Sequence, residues 1–295
     1  MESPFVSIAD HGLAPTRSGK VREVLDLGDQ LLMITTDRIS AFDCVLPTPV
    51  PGKGKLLNRI SNHWFRTMRE IVPNHVVSDQ EPEFPRDLVS FLPVLRDRWV
   101  LVRKAERIDV ECVVRGFLAG SGMREYRDKG TVGGIEVPAG IPDYGELPEP
   151  LFTPTTKEDV GHDRPVTYEE LCDRIGSDLA GRLRDLSIRI FRDAGRRARE
   201  RGLLLADTKF EFGWIDGDLC LIDELLTPDS SRYWDGDGPR DAEPEPLDKE
   251  YVRGYLKGLD WDRNPPAPPL PREQIAETYR RYLRVYDALG VGTES

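Results

Sequence analysis

Within LLLADTKFEFGW, residues 203–214, Asp207, Lys209 and Glu211 alternate with Ala206, Thr208, Phe210 and Phe212. Successive side chains of a strand point to opposite faces, so three charged groups share one face of this segment and the other face is largely apolar. A half-exposed strand with its charges in water gives that alternation. A site for a hard cation and phosphates gives it too: oxygen-only carboxylate ligands suit Mg²⁺, which keeps waters and binds through one or two carboxylates plus nucleotide phosphates. Asp223, on the strand returning after Asp216-Gly217, is the candidate second ligand beside Glu211. Register constrains this pairing. A strict two-residue turn pairs 211 with 222 and puts Asp223 on the opposite face, so a shared site predicts a three-residue or longer odd loop, or a bulge.

Other segments carry groups suited to anions. Gly19-Lys20, followed by Arg22, puts backbone N–H groups and two cations at a strand entry, where they could cover ATP phosphates; a turn with a solvated lysine has the same composition. It is not a Walker A loop, because the earlier glycine, Gly12, is not five before Gly19 and Val21 stands where Ser or Thr is required. Arg115-Gly116 and Gly120-Ser121-Gly122 lie where a strand runs into a helix, so Ser121 either caps the helix or grips an anion. Ser231 and Arg232, after the turn Thr227-Pro228-Asp229, offer a hydroxyl and a fork of donors for phosphate or carboxylate. Asp43, in TDRISAFD, reads as a plain loop acid, and His162 as a hydrogen-bonded structural histidine, a switch or a base. No GxSxG elbow exists to anchor a hydrolase triad.

The elements that must position these groups are also legible. Residues 20–36 read as two strands around a Gly28-Asp29 turn, and Leu56, Leu57, Ile60, Trp64, Met68 and Ile71 trace an amphipathic helix lying on that sheet, with Trp64 in the core. Trp99–Leu118 gives two strand-like runs broken at Glu106-Arg107, a candidate hinge. Residues 130–165, rich in Gly and Pro, predict a long functional loop. Thr167 and Glu170 form a capping box ahead of a helical face through Leu171, Ile175, Leu179, Leu183, Leu186 and Ile190, split at Gly176-Ser177 and stopped at Gly202. Residues 235–250 read as a solvated acidic loop, PPAPPLP (265–271) as a stiff extended linker, and residues 272–289 as a closing amphipathic helix.

Composition narrows the classes. The 295 residues, 39% hydrophobic and 32% charged, suffice for one large core or two ordinary ones. With 41 Lys+Arg against 52 Asp+Glu, the net charge of −11 has the wrong sign for nucleic-acid binding through a broad basic face. No apolar run approaches a membrane span, and no basic, apolar leader opens the sequence, so a soluble, unexported, cytoplasmic protein is expected. Cys44, Cys112, Cys172 and Cys220 lie far apart and read as reduced thiols rather than disulfides or a zinc site.

Taken in order, SGKVREV, TTDRISAFD, VECVVRGFLAGSGMREY, LPEPLFTPTTKEDVGHD, LADTKFEFG, LIDELLTPDSSRYWD and PAPPLP resemble the SAICAR synthetases, the phosphoribosylaminoimidazole-succinocarboxamide synthases of purine biosynthesis, along nearly the whole chain. The resemblance implies an α+β, ATP-grasp-like fold of two lobes with antiparallel sheets and a C-terminal helix: a β-rich ATP-binding lobe over 1–105, an α+β substrate and Mg-binding lobe over 106–264, and a Pro-rich linker with the helix over 265–295. It implies that ATP, L-aspartate and the carboxylated aminoimidazole ribonucleotide CAIR give SAICAR, ADP and phosphate through an acyl phosphate. A related ligase with another acceptor, or a nucleotide-binding module without catalysis, are the alternatives. By the same resemblance Gly19, Lys20, Arg22, Lys104 and Glu106 would bind ATP; Glu211 and Asp223 would hold Mg²⁺; Lys20, Lys209 and Asp207 would act in catalysis; and Asp43, Arg115, Ser121, Ser231 and Arg232 would hold substrate. Small-molecule partners are expected, without nucleic acid or membrane, and the oligomeric state, a homo-oligomer included, is left open.

Overall fold

The apolar runs flanking Gly28-Asp29 form the strands Arg22–Asp26 and Gln30–Thr35, the middle of a five-stranded antiparallel sheet. Arg17–Ser18 adds to one edge; Trp99–Arg103 and then Val76–Ser78 extend the other. In this computed structural model, residues 3–157, 164–238 and 243–292 are described; His162 lies outside them.

A second, seven-stranded antiparallel sheet is built around the long strand Leu203–Ile215, which pairs with Val110–Phe117, Asp218–Ile222, Ser231–Asp235 and Glu106–Arg107. Its buried face, including Phe210 and Phe212, packs with Leu183, Ile190 and Phe191 of the helix Ser177–Arg199 in the main core. The capping box at Thr167 and Glu170 is formed, and Gly176 divides the helix Tyr168–Ile175 from the next one.

Several expectations change under packing. Glu106-Arg107 is a short strand on the second sheet, opposite Gly213 and Trp214, instead of an unpaired break. Residues 130–165 contain a turn at Gly133-Gly134 between two short strands, then the strands Glu146–Phe152 and Thr155–Thr156; both of the latter pair with Val110–Phe117, whose free edge outweighs their weak periodicity. The acidic segment 235–250 ends in buried Leu247, Asp248 and Lys249. The PPAPPLP segment buries Ala267 and Leu270 against Ile39, Leu46 and Val50. The helix Lys53–Met68 gives most of its apolar face, Trp64 included, to the main core, where the closing helix Arg272–Ala288 joins it through Tyr282 and Val285.

Residues 73–75 join the two sheets. Leu221 N–H donates to Pro73 O at 2.9 Å, His75 N–H to Leu221 O at 3.1 Å, and Arg103 N–H to His75 O at 2.8 Å. A cleft lies beside this seam.

Candidate active site

The charged face of the long strand is turned into the protein: Asp207 and Glu211 are both buried. Burying carboxylates is costly without compensation, and here neighbouring cations supply it, so Asp207 and Glu211 are not the solvated charges of a half-exposed strand.

At one end, register sets Asp207 directly opposite Arg115 on one neighbour and Arg232 on the other. Asp207 Oδ2 lies 2.5 Å from Arg232 Nη1 and 3.5 Å from Arg115 Nη1. Arg115 Nη2 also donates to Ser121 Oγ at 3.4 Å. These groups, with Lys209, Ser231 and Lys249, line a cavity of about 300 Å³. Of the two readings for Ser121, the helix cap is not the one formed. The N-cap is Ala119, and Ser121 stands in the first turn of the helix Gly120–Lys129. Gly120, at φ +52, is required here, since a Cβ would meet Arg232 Nη2 at 2.6 Å. Ser231 Oγ is 2.7 Å from Thr208 Oγ1, a buried contact that fixes the strand carrying Arg232.

At the other end, Glu211 pairs with Lys157, and Asp223 pairs with Arg22 at 2.5 Å. Lys209, between the two ends, pairs with Glu111. Glu211, Asp223, Lys157, His75, Arg103 and Lys104 line a cleft of about 640 Å³ between the two sheets, with Val24, Leu31, Met33 and Val102 forming an apolar wall. Burial, reinforced by the neighbouring Asp223 carboxylate, pushes Glu211 up to about 7. Burial alone would raise Asp223 as well, but Arg22 and then Lys157 hold it at about 2.

The meeting of Glu211 with Asp223 arises by a route the register argument did not include. The turn is the strict two-residue Asp216-Gly217, 211 pairs with 222, and the ladder has no bulge. The strand ends at Ile222, and Asp223 takes φ +71, leaving pleated geometry so that its side chain reaches the Glu211 cleft. Positive φ is costly for a non-glycine residue and persists where surroundings enforce it, often at functional sites.

The other predicted residues divide between the cleft wall and positions away from it. Lys20 pairs with Asp43, which has φ +63; neither they nor Gly19 line the two cavities. Lys104 lines the cleft and donates to Asp26 at 2.8 Å, but Glu106 is exposed on its short strand and lines neither cavity. Sequence reasoning missed Glu111, Lys157 and Lys249. Glu111 lies on the same face of its strand as Val113 and Arg115, a period-two signal that could have found it; Lys157 has no such signal.

Among the described residues, no three His, Cys, Asp or Glu side chains form a metal cluster. Among the described residues of the cleft, Glu211 and Asp223 offer neighbouring carboxylate oxygens, ligands that fit Mg²⁺ completed by waters and phosphates.

Comparison with known proteins agrees with this architecture. The sequence pattern of SAICAR synthetase matches residues 15–268. The phosphoribosylaminoimidazole-succinocarboxamide synthase of Geotalea uraniireducens is 45% identical over 90% of this chain and 90% of its own, and that of Pelobacter propionicus is 45% identical over 96% of each. A solved SAICAR synthase from Saccharomyces cerevisiae, complexed with SAICAR, superposes with a TM-score of 0.84 at 33% identity, covering 94% of both chains. The chain belongs to the SAICAR synthetase family.

Proposed function

We propose that this chain joins L-aspartate to the carboxylate of CAIR, consuming ATP and releasing SAICAR, ADP and phosphate. One observation carries the reading: the charged face of a single strand runs from an anion cavity at Asp207, through Lys209, to the carboxylate-bearing cleft at Glu211. Phosphoryl transfer between two bound molecules needs such a junction. The two sheets with a cleft between them support an ATP-grasp-like description, and we assign residues 1–105 to the nucleotide lobe, 106–264 to the substrate lobe, and 265–295 to a Pro-rich linker with the C-terminal helix. The four free cysteines accord with a reducing cytoplasm.

A carboxylate is a poor electrophile, so its oxygen first takes the γ-phosphoryl group of ATP, giving an acyl phosphate and ADP. The aspartate amine then attacks the acyl carbon, the C–O bond to phosphate breaks, and the amine loses a proton. Transfer of this kind depends on positioning and charge neutralisation. Arg115, Ser121, Ser231 and Arg232 hold the phosphate and carboxylate of CAIR; Asp207 fixes the two guanidiniums by lying between them. Lys209 meets the transferred group, while Lys20 and Arg22 face the nucleotide's phosphates and Lys104 its outer edge. Asp43 holds Lys20 until nucleotide arrives. Glu211 and Asp223 would hold Mg²⁺, which supplies charge neutralisation to the phosphates when bound.

The test is phosphate release by the purified protein with ATP plus CAIR, aspartate, or both. Release only with both, accompanied by SAICAR absorbance, is expected; equal release with either substrate missing would overturn the reading.

A further inference from the structure

The segment Ser18–Arg22, which carries Gly19 and Lys20, is held from behind by two side chains of Thr36-Asp37-Arg38. Arg38 Nη2 donates to Gly19 O at 3.0 Å, and Arg38 Nε donates to Lys20 O at 3.1 Å. Thr36 donates to Val21 O twice, from its N–H at 2.9 Å and from its hydroxyl at 2.7 Å. Three consecutive carbonyls are thus captured on one side. The carbonyl and N–H of a trans peptide point in opposite directions, so with the Gly19 and Lys20 carbonyls on Arg38, the N–H groups of Lys20 and Val21 turn away from it. Adjacent N–H groups turned to one side form a concavity suited to an anion.

Arg38 is itself locked. Its Nη1 donates to Glu23 Oε1 at 2.8 Å and to Val6 O at 2.6 Å. The Glu23 side chain is only 1% exposed and accepts further from Ile8 N–H at 2.8 Å and Ser7 Oγ at 2.9 Å. With its second Nη2 N–H facing Arg22 O at 3.5 Å, all five donors of this planar fork have acceptors, which sets direction in a way that a lysine ammonium cannot.

We infer that Arg38, assisted by Thr36, is a positioning residue that aims the backbone amides of Lys20 and Val21 at the terminal phosphates of the nucleotide, making an anion seat independent of the Lys20 charge. The inference rests on the ATP-dependent reading above and assigns roles to residues that the sequence left unassigned.

Arg38→Lys keeps the charge and loses the fork; Thr36→Val keeps the shape and loses the hydroxyl. Calorimetric titration of the full chain with ATP and with AMP, together with steady-state kinetics, separates the outcomes. Arg38→Lys is expected to weaken ATP at least tenfold and AMP less than twofold, raising KM for ATP while KM for CAIR and aspartate stays within twofold. Thr36→Val gives the same pattern more weakly and keeps the test informative if the first variant fails to fold. In the wild type, the amide resonances of Lys20 and Val21 shift with ATP and stay in place with AMP. Wild-type affinity for ATP in both variants overturns the inference alone, as does equal weakening of AMP and ATP. A wild-type chain that binds no adenine nucleotide overturns the ligase reading and this inference together.

Discussion

Two buried acids with cationic neighbours behave in opposite ways. Asp229 is saturated: Lys53 Nζ donates to Oδ2 at 2.9 Å, Tyr282 OH donates to Oδ1 at 2.6 Å, and Lys249 Nζ lies 3.6 Å away. Burial alone would raise its carboxyl, but Lys249 and Lys53 hold it well below the usual range. The cluster ties the start of the helix at 53–68, the turn 227–230 and the closing helix together behind the cavity that Asp229 and Lys249 line. Glu211 also has a lysine, Lys157, yet it shares its cleft with a second carboxylate and is pushed upward. A satisfied acid holds the scaffold together, whereas Glu211, crowded by Asp223, keeps an unmet demand for positive charge, the demand that the proposed metal–nucleotide complex would meet.

Substitutions separate the two acids. The largest effect is expected for Glu211→Ala: kcat falls about a thousandfold, roughly 4 kcal/mol of lost transition-state stabilisation, while the urea midpoint stays the same or rises. A variant with wild-type kcat would remove Glu211 from the site. Next, Lys53→Met breaks the fully buried pair and is expected to cost about 3–5 kcal/mol of unfolding free energy; denaturation with an unchanged midpoint would show that the Asp229 cluster contributes little. Arg232→Lys comes third, raising KM for CAIR about tenfold, about 1.4 kcal/mol, because the fork is lost, with KM for ATP within twofold.

The smallest effect is in pH dependence. A carboxyl raised from 4.5 to about 7 binds a proton in the folded state that the unfolded chain has released, so stability declines as pH rises through that window. Glu211→Gln removes the decline, and its melting temperature should gain on the wild type by a few degrees between pH 5 and pH 8 in nucleotide-free protein. Asp229 acts with the reverse sign: its depressed carboxyl contributes stability above the ordinary carboxylate range and loses it as pH falls below. A constant melting difference across pH would contradict the crowded-acid account.

Much of the site was legible where its signal is local. The alternation 207, 209, 211 gave one face because a strand repeats every two residues, and Asp216-Gly217 and Gly28-Asp29 marked turns by their chemistry. Thr167 with Glu170 marked a helix start for the same reason. The signal failed where pairing depends on distant chain. The strand Glu146–Phe152 has Pro at two positions and little periodicity, yet the open edge of Val110–Phe117 recruits it. Lys249 sits in a run of acidic and proline residues that reads as solvated, yet it is buried and paired with Asp229, twenty residues earlier.

Which residues face which way along each strand, and where the chain turns, can be read from the order of amino acids alone, because those properties are set by backbone geometry over two to four residues. That Asp223 turns back at φ +71 to meet Glu211, and which cations hold them, emerges with the folded chain: Lys157 comes from 54 residues before Glu211, and Arg22 from 201 residues before Asp223. Neutralising a buried charge depends on distance in space, and sequence separation carries no record of that distance.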